Sequence, residues 1–363
     1  MKILTISNMY PSEQDPVYGT FVKNFVDQLN KRNDSGINDL AVIAGRRSGK
    51  WAKLKAYIGF YATTTWKLLT RRYDLVYVHT ITFPIIPVRI ASLLRRHRYV
   101  FNVHGDDVLP SNNLKIKLKN LARPILPHAT MIVVPSPYFA DVVEQEFDGI
   151  DRDKIFISPS GGLNNRFYVD AAKKADNDKP LTLGFVSRID RGKGWDVFLR
   201  AVKRLADDGL AMKALIAGRG AQQSELLDAI NSLGLGDIVE YIGPVAPERL
   251  PDVYSSFDLF IFPTMLRESL GLVGLEAMAA RTPVIASQIA GPAGYVVNGY
   301  NGYMFEPGND QELYRCVKTY LSLNAEQRNA LSENAYATAL DYNADDVAAD
   351  LYSRLTALAA SKG

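Results

Sequence analysis

Short apolar runs alternate with longer amphipathic stretches along almost the whole 363-residue chain. Residues 1–7 (MKILTIS) centre on Ile3, Leu4 and Ile6 and predict a strand that leaves its sheet at Asn8. A loop then runs to Gly19, and Phe21, Phe25, Val26 and Leu29 fall on one helical face. Further strands are expected at 40–44, 74–79 (DLVYVH), 99–104 (YVFNVH) and 130–135 (TMIVVP), each after a segment long enough for a crossover helix. The second half repeats the rhythm with strands at 181–187 (LTLGFVS), 213–218 (KALIAG) and 239–243 (VEYIG). The apolar run 253–262, with Asp258 inside it, reads as one more buried strand. Residues 272–280 are rich in helix formers, and 282–287 form the next strand, where Pro283 cannot continue the helix. Helices at 310–323, 325–339 and 344–360 close the chain. Strand, crossover helix, strand is the grammar of parallel sheets, so the expected fold class is α/β with two doubly wound, Rossmann-like domains.

The polar segment 171–180 (AAKKADNDKP) reads as a linker. It divides a domain at 1–170 from one at 181–340, with a terminal helix at 341–363.

Composition adds less. With 47% hydrophobic and 22% charged residues the chain has ample core, which excludes wholesale disorder. Its single cysteine, Cys316, supports neither an internal disulfide nor a cysteine-rich metal site and fits a reducing compartment. The start of the chain is too briefly apolar for a signal peptide and no stretch has the length of a membrane span, so a cytoplasmic protein is expected. Charge is uneven. Residues 1–150 carry 20 Lys+Arg against 12 Asp+Glu, while the remainder carries 22 against 27. A basic half implies an anionic partner. No nucleic-acid-binding signature accompanies it, which leaves an anionic membrane surface as the partner to consider. Residues 46–72 mix Trp51, Leu54, Ile58, Tyr61 and Leu68 with lysines and arginines, and 114–126 (LKIKLKNLARPIL) repeat the mixture. Such segments either lie on a bilayer or are crossover helices with a solvated basic face.

Candidate chemistry sits where strands end and helices begin. Arg188-Ile189-Asp190-Arg191-Gly192-Lys193-Gly194 follows a strand and precedes a helix, offering a guanidinium, an ammonium and freed amides to two adjacent phosphates. Leu270, Gly271 and Leu272 start another helix and offer amides, flanked by Glu268 in the loop and Glu276 inside the helix. Gly19 marks a turn where backbone can approach a phosphate, and Gly218, Gly243 and Val245 stand at strand ends where backbone could read a base. His104 ends another strand, followed by Asp106 and Asp107. Each also has an ordinary reading: a solvated basic turn, a solvated helix glutamate, a loop glycine, a core histidine or a helix cap. Two adjacent carboxylates without further ligands do not make a metal site.

Taken together, Glu268 and Glu276 with seven residues between them, among these Ser269, Gly271, Leu272 and Val273, and Ala277-Met278-Ala279 after, resemble the signature of the family-four retaining glycosyltransferases. Leu270 stands where many members have Phe. The resemblance implies the two-domain GT-B fold, with two Rossmann-like domains facing across a cleft and the last helix returning to the first domain. It implies a nucleotide-sugar donor and no metal or other cofactor. Arg188 and Lys193 would clamp the donor diphosphate, Glu276 would accept from the ribose hydroxyls, and Glu268 would face the sugar with the amides of Leu270 to Leu272. His104, in a segment similar to the family's His-Gly-x-Asp, would lie beside the transferring sugar, and Gly19 near the donor phosphate or acceptor. This chain has one glycine there where many have two, and Ser160 and Leu163 replace the Asn and Asp of the family's Asn-Gly-Val-Asp turn. The expected function is hexosyl transfer with retention to a hydroxyl of a glycan or glycolipid acceptor, a lipid-linked intermediate of cell-envelope polysaccharide biosynthesis at the inner membrane face. The alternatives are a GT-B epimerase and a transferase acting on a soluble small molecule. A dinucleotide-dependent oxidoreductase also uses Rossmann domains, but no strand here leads into Gly-x-Gly-x-x-Gly with a suitably placed acid.

Overall fold

The computed structural model describes residues 1–33, 36–170 and 180–361. The chain divides into two compact units, residues 1–162 with 345–363 and residues 163–344.

The first unit alternates β1 (Lys2–Tyr10), α1 (Thr20–Arg32), β2 (Ile37–Ala44), α2 (Lys50–Thr70), β3 (Leu75–His79), α3 (Ile85–Leu94), β4 (Tyr99–Asn102), α4 (Asn113–Ala122), β5 (Met131–Val134), α5 (Pro137–Glu146) and β6 (Ile155–Ile157). The sheet order is β2-β1-β3-β4-β5-β6, and every pairing is parallel. Alternate residues serve opposite faces. Leu4, Ile6, Val76, Val78, Phe101 and Ile132 share one core with Phe60 and Leu68 of α2, while Ile3, Leu75, Tyr77, Val100 and Met131 share the other with Leu29 of α1. Both faces are covered, so the strands read as unbroken apolar runs.

The second unit contains β7 (Leu181–Val186), α6 (Trp195–Asp207), β8 (Met212–Ala217), α7 (Gln223–Ser232), β9 (Val239–Gly243), α8 (Leu250–Ser255), β10 (Leu259–Phe262), α9 (Leu272–Ala279), β11 (Val284–Ser287), β12 (Gly302–Phe305), α10 (Asp310–Ser322) and α11 (Ala325–Leu340). Its parallel sheet runs β12-β11-β10-β7-β8-β9. Strand order reverses between β1 and β3 in one sheet and between β7 and β10 in the other. In such sheets the crevice at the carboxyl ends of the two diverging strands is where ligands bind. The remaining helix, α12 (Ala344–Ala360), belongs from residue 345 onward to the first unit, where Leu351 and Leu355 join Ile3, Leu29 and Tyr77 in one cluster.

Three expectations need correction. The run 253–262 is not one strand. Pro251 opens helix α8, and the strand begins only at Leu259. The first strand does not leave its sheet at Asn8 but pairs with β2 as far as Tyr10, through an irregularity after Ser7. The first domain ends at 162 rather than 170, because Leu163 donates its amide to Tyr342 O at 2.6 Å and Phe167 and Val169 are buried in a core of the second unit. The expected linker lies, for residues 171–179, outside the described residues.

Candidate active site

In the second unit the candidate residues gather at the carboxyl ends of β7, β8, β9 and β10. The loop after β7 carries Arg188 and Lys193 and ends at Gly194, which caps α6 with φ 81°. A Cβ at Gly194 would stand 1.8 Å from Pro263 O, so only glycine lets the β7 and β10 loops meet this closely. Met265 N donates to Gly192 O at 2.8 Å and stitches the same two loops. The approach brings Lys193 Nζ to 2.7 Å from Glu268 Oε1. Thr264 Oγ1 donates to that same oxygen at 3.1 Å. Both members of this ion pair are largely buried, with 12% and 21% of their side chains exposed. Arg188 is exposed and pairs with Asp190 at 2.8 Å, and Asp190 Oδ1 also accepts from Ala221 N at 2.8 Å.

Gly271 caps α9 in the left-handed region at φ 84°, with Phe262 where a side chain would go. The helix start therefore presents its first amides beside Glu268, whose own carbonyl accepts from Gly291 N at 2.9 Å. Leu270 itself is buried, leaving only its backbone for chemistry. Glu276, inside α9, is partly buried and accepts at 2.8 Å from the Tyr254 hydroxyl. Burial pushes the Glu276 carboxyl above its ordinary range, opposed by Tyr254 and by the charge of Arg166. Gly218 follows β8 with its bare side against Ser187 O, 1.8 Å from where a Cβ would lie. It donates to Gly243 O at 2.8 Å, and Val245 packs partly buried nearby on the core that holds Tyr254.

In the first unit Gly19 caps α1 at φ 74°, and its bare side is occupied by the backbone of Met9 and Tyr10. Close packing on β1 thus already demands the glycine. Two residues later, in the first turn of α1, Phe21 meets His104 edge-on at 4.7 Å between ring centroids. His104 lies two residues beyond β4, not within it. His79, at the end of β3, places Nδ1 3.4 Å from His104 Nε2 with the two rings nearly parallel. Burial lowers the pKa of both imidazoles, with Asp107 opposing the shift at His104, so both are neutral at pH 7. Asp107 is a backbone acceptor: Oδ1 takes the amides of His104 and Gly105 at 2.9 Å each and Oδ2 takes that of Ile81 at 3.2 Å. Asp106 pairs with Lys115. Among the described residues no group of three or more His, Cys, Asp or Glu could hold a metal ion.

Sequence reasoning missed His79, Tyr254 and Thr264. His79 carried the same signal as His104, a histidine closing a buried strand. Tyr254 was hidden inside the misread apolar run.

The chain matches two family descriptions in tandem, Glycosyl transferase 4-like domain over residues 26–161 and Glycosyl transferases group 1 over residues 169–338. It belongs to the family-four glycosyltransferases of the GT-B fold. It is 28% identical over 242 residues to the D-inositol 3-phosphate glycosyltransferase of Corynebacterium urealyticum, 62% of this chain and 56% of that one. To the 2-deoxystreptamine glucosyltransferase of Streptomyces kanamyceticus it is 34% identical over 182 residues, 50% and 45% of the two chains. The chain thus spans about half the length of these curated relatives. Among solved structures, Anabaena HepE in complex with UDP superposes with a TM-score of 0.76 at 20% identity, covering 98% of this chain and 100% of the other. That likeness shows the GT-B fold.

Proposed function

We propose that this protein transfers a hexose from a nucleoside-diphosphate sugar to a hydroxyl acceptor, with retention at the anomeric carbon. The observation that carries the reading is the switch point between β7 and β10, where Lys193 pairs with Glu268 beside the start of α9 and Arg188 stands on the same loop after β7. Arg188 and Lys193 hold the diphosphate, Glu276 accepts from the ribose hydroxyls, and Gly218, Gly243 and Val245 line the base. Glu268, held on one oxygen by Lys193 and Thr264, keeps its other oxygen for the sugar hydroxyls. His104 is neutral and serves the transferring sugar as a hydrogen-bonding group, with Gly19 at the start of the neighbouring helix. As the bond to the leaving phosphate breaks, the two cations and helix-end amides stabilise the charge that builds on it. With that charge already met, the reaction needs no metal.

For the acceptor we propose a lipid-linked glycan of the cell envelope, presented at an anionic membrane surface. Support comes from α2, α3 and α4, which contain no acidic residue and expose Trp51, Leu54, Ile58, Leu93, Leu94 and Leu114. The names of the relatives favour a second reading, a soluble polyol acceptor.

Thermal denaturation with UDP-, GDP- and ADP-sugars tests the donor, since a ligand of the native state must raise the melting temperature. One nucleotide class is expected to do so, equally after chelator treatment; no shift with any of them overturns the donor assignment. Product analysis with the binding donor then reads the anomeric configuration.

A further inference from the structure

Tyr254 holds a polar group that this reading leaves without a task. The residue is fully buried, among the rings of Phe167, Phe257 and Phe260 at 5.5–6.3 Å. Phenylalanine would fill such a site without the cost of burying a hydroxyl. The hydroxyl instead reaches out of the apolar cluster and donates to Glu276 Oε2 at 2.8 Å. Among the described residues no donor reaches the other oxygen, Oε1.

We propose that Tyr254 is a positioning residue for the nucleotide: its hydroxyl fixes Oε2 of Glu276, leaving Oε1 as the acceptor for the vicinal hydroxyls of a ribose. The inference rests on the assignment of Glu276 to the ribose. A carboxylate free to rotate would lose side-chain entropy on binding, and one held from behind has already lost it.

The same hydrogen bond also favours the ionised form of Glu276 against its burial. The groups facing it are Tyr254 from α8, Arg166 from the segment after β6, and Tyr295, whose own hydroxyl donates to Gly271 O at 2.7 Å. Glu268 also faces Tyr295. Burial favours the protonated carboxyl, and Tyr254 and Arg166 favour the carboxylate. Two ribose hydroxyl donors need the carboxylate, so affinity falls as pH drops through the pKa of Glu276. Removing the Tyr254 hydroxyl raises that pKa and moves the acid limb of binding to higher pH.

The test is calorimetric titration with UDP, GDP or ADP, whichever binds the wild type most tightly, between pH 5 and 8. Tyr254→Phe is expected to weaken binding roughly tenfold at pH 7.5, the scale of one hydrogen bond to a charged group, and to shift the acid limb upward. In a Glu276→Gln background the same substitution should change neither affinity nor midpoint. Wild-type affinity and midpoint in folded Tyr254→Phe overturn the proposal. If Glu276→Gln binds like the wild type, the ribose assignment itself has failed, and the proposal with it. Should Tyr254→Phe not fold, 3,5-difluorotyrosine at position 254 keeps the shape and makes a stronger donor. The acid limb must then move below that of the wild type, and an unmoved limb overturns the proposal.

Discussion

His79 is 1% exposed, and its Nε2 has no hydrogen-bond partner among the described residues. Burial holds its pKa well below the ordinary 6.5, so the unfolded chain takes up a proton that the folded chain refuses. Stability is therefore full above pH 6.5 and falls as pH drops toward the folded pKa, with a slope of up to about 1.4 kcal/mol per pH unit from this one group. His79→Phe keeps an aromatic ring beside Phe25 and Tyr77, and urea denaturation at pH 7.5, 6.0 and 5.0 should show a flatter pH dependence than the wild type. At the other site, Arg188→Ala and Lys193→Ala should each raise the barrier to transfer by about 2–4 kcal/mol, the scale of losing one preorganised charge stabiliser. Circular dichroism should be unchanged. Because Lys193 also neutralises Glu268, its loss leaves a largely buried carboxylate without its countercharge and should cost stability too, which loss of the exposed Arg188 should not.

At the scale of elements, the close approach of Gly194 to Pro263 joins the β7 and β10 loops. Gly194→Ala forces a side chain into left-handed backbone and against a carbonyl, so the expected loss is about 2 kcal/mol or more of stability, together with nucleotide binding. Gly209→Ala is the control. Its φ of 76° is as unfavourable, but nothing lies within 4 Å, so about 1 kcal/mol is lost and binding persists. Denaturant titrations and calorimetry on both variants separate the two costs.

The basic helices are a second case. Among their lysines and arginines, Lys67 and Arg71 are tied to Asp39, Lys115 to Asp106 and Lys119 to Glu146. Lys50, Lys53, Lys55 and Lys117 are exposed. Each well-placed cation contributes about 1 kcal/mol at an anionic surface. Sedimentation with anionic but not neutral vesicles is expected, lost with added salt and weakened by Lys53→Glu with Lys117→Glu. Protein left in the supernatant at low salt would favour the soluble acceptor.

These elements also show what a sequence can reveal. Strands buried on both faces announce themselves as unbroken apolar runs, so ten of the twelve were located in outline from DLVYVH, TMIVVP and their like; the short β6 and β12, of three and four residues, were not placed. The stretch 253–262 defeated the method because a buried helix turn and a buried strand share that pattern, and only Pro251, just outside it, marks a helix start. The phosphate-binding loops were legible because glycines and charges cluster locally. The pairing of Lys193 with Glu268 was not, since 75 residues of chain separate them and only the strand order makes β7 and β10 neighbours. The exposed apolar side of α3 was unreadable too: Ile85–Leu94 is apolar apart from Arg89 and Ser92, and two polar positions do not say that Ile90, Leu93 and Leu94 face out.

Across the whole molecule, each unit has its own sheet and its own cores, and the first unit is discontinuous in sequence. Its α12 is tied down by Gln28 and Arg32, which donate to Asp345 Oδ1 and O at 3.3 and 2.9 Å. Arg98 donates to Ser361 O at 2.9 Å. Ending the chain at 344 would uncover Ile3, Leu29 and Tyr77. Burying an aliphatic side chain the size of Leu351 or Leu355 contributes about 1.5–3 kcal/mol, so the truncated protein should lose several kcal/mol from the first unit. Nucleotide affinity, which the proposed assignment places on residues 163–344, should survive. Limited proteolysis with and without the nucleotide that stabilises the full chain, mapped by mass spectrometry, would show cleavage confined to residues 1–162.

The placement of α12 also fixes an order of events on the ribosome. Chains emerge at about 5–20 residues per second, and domains generally fold as units as they appear. The strands of the first unit emerge first, yet the face of its sheet around Ile3 and Tyr77 stays uncovered until all of residues 163–344 have been made. The second unit, continuous in sequence, can complete its core sooner. Stalled nascent chains ending near residue 380 of a tagged fusion should therefore bind whichever nucleotide the thermal panel identifies while their first unit is still open to protease, and this interval is when a chaperone would find its apolar face.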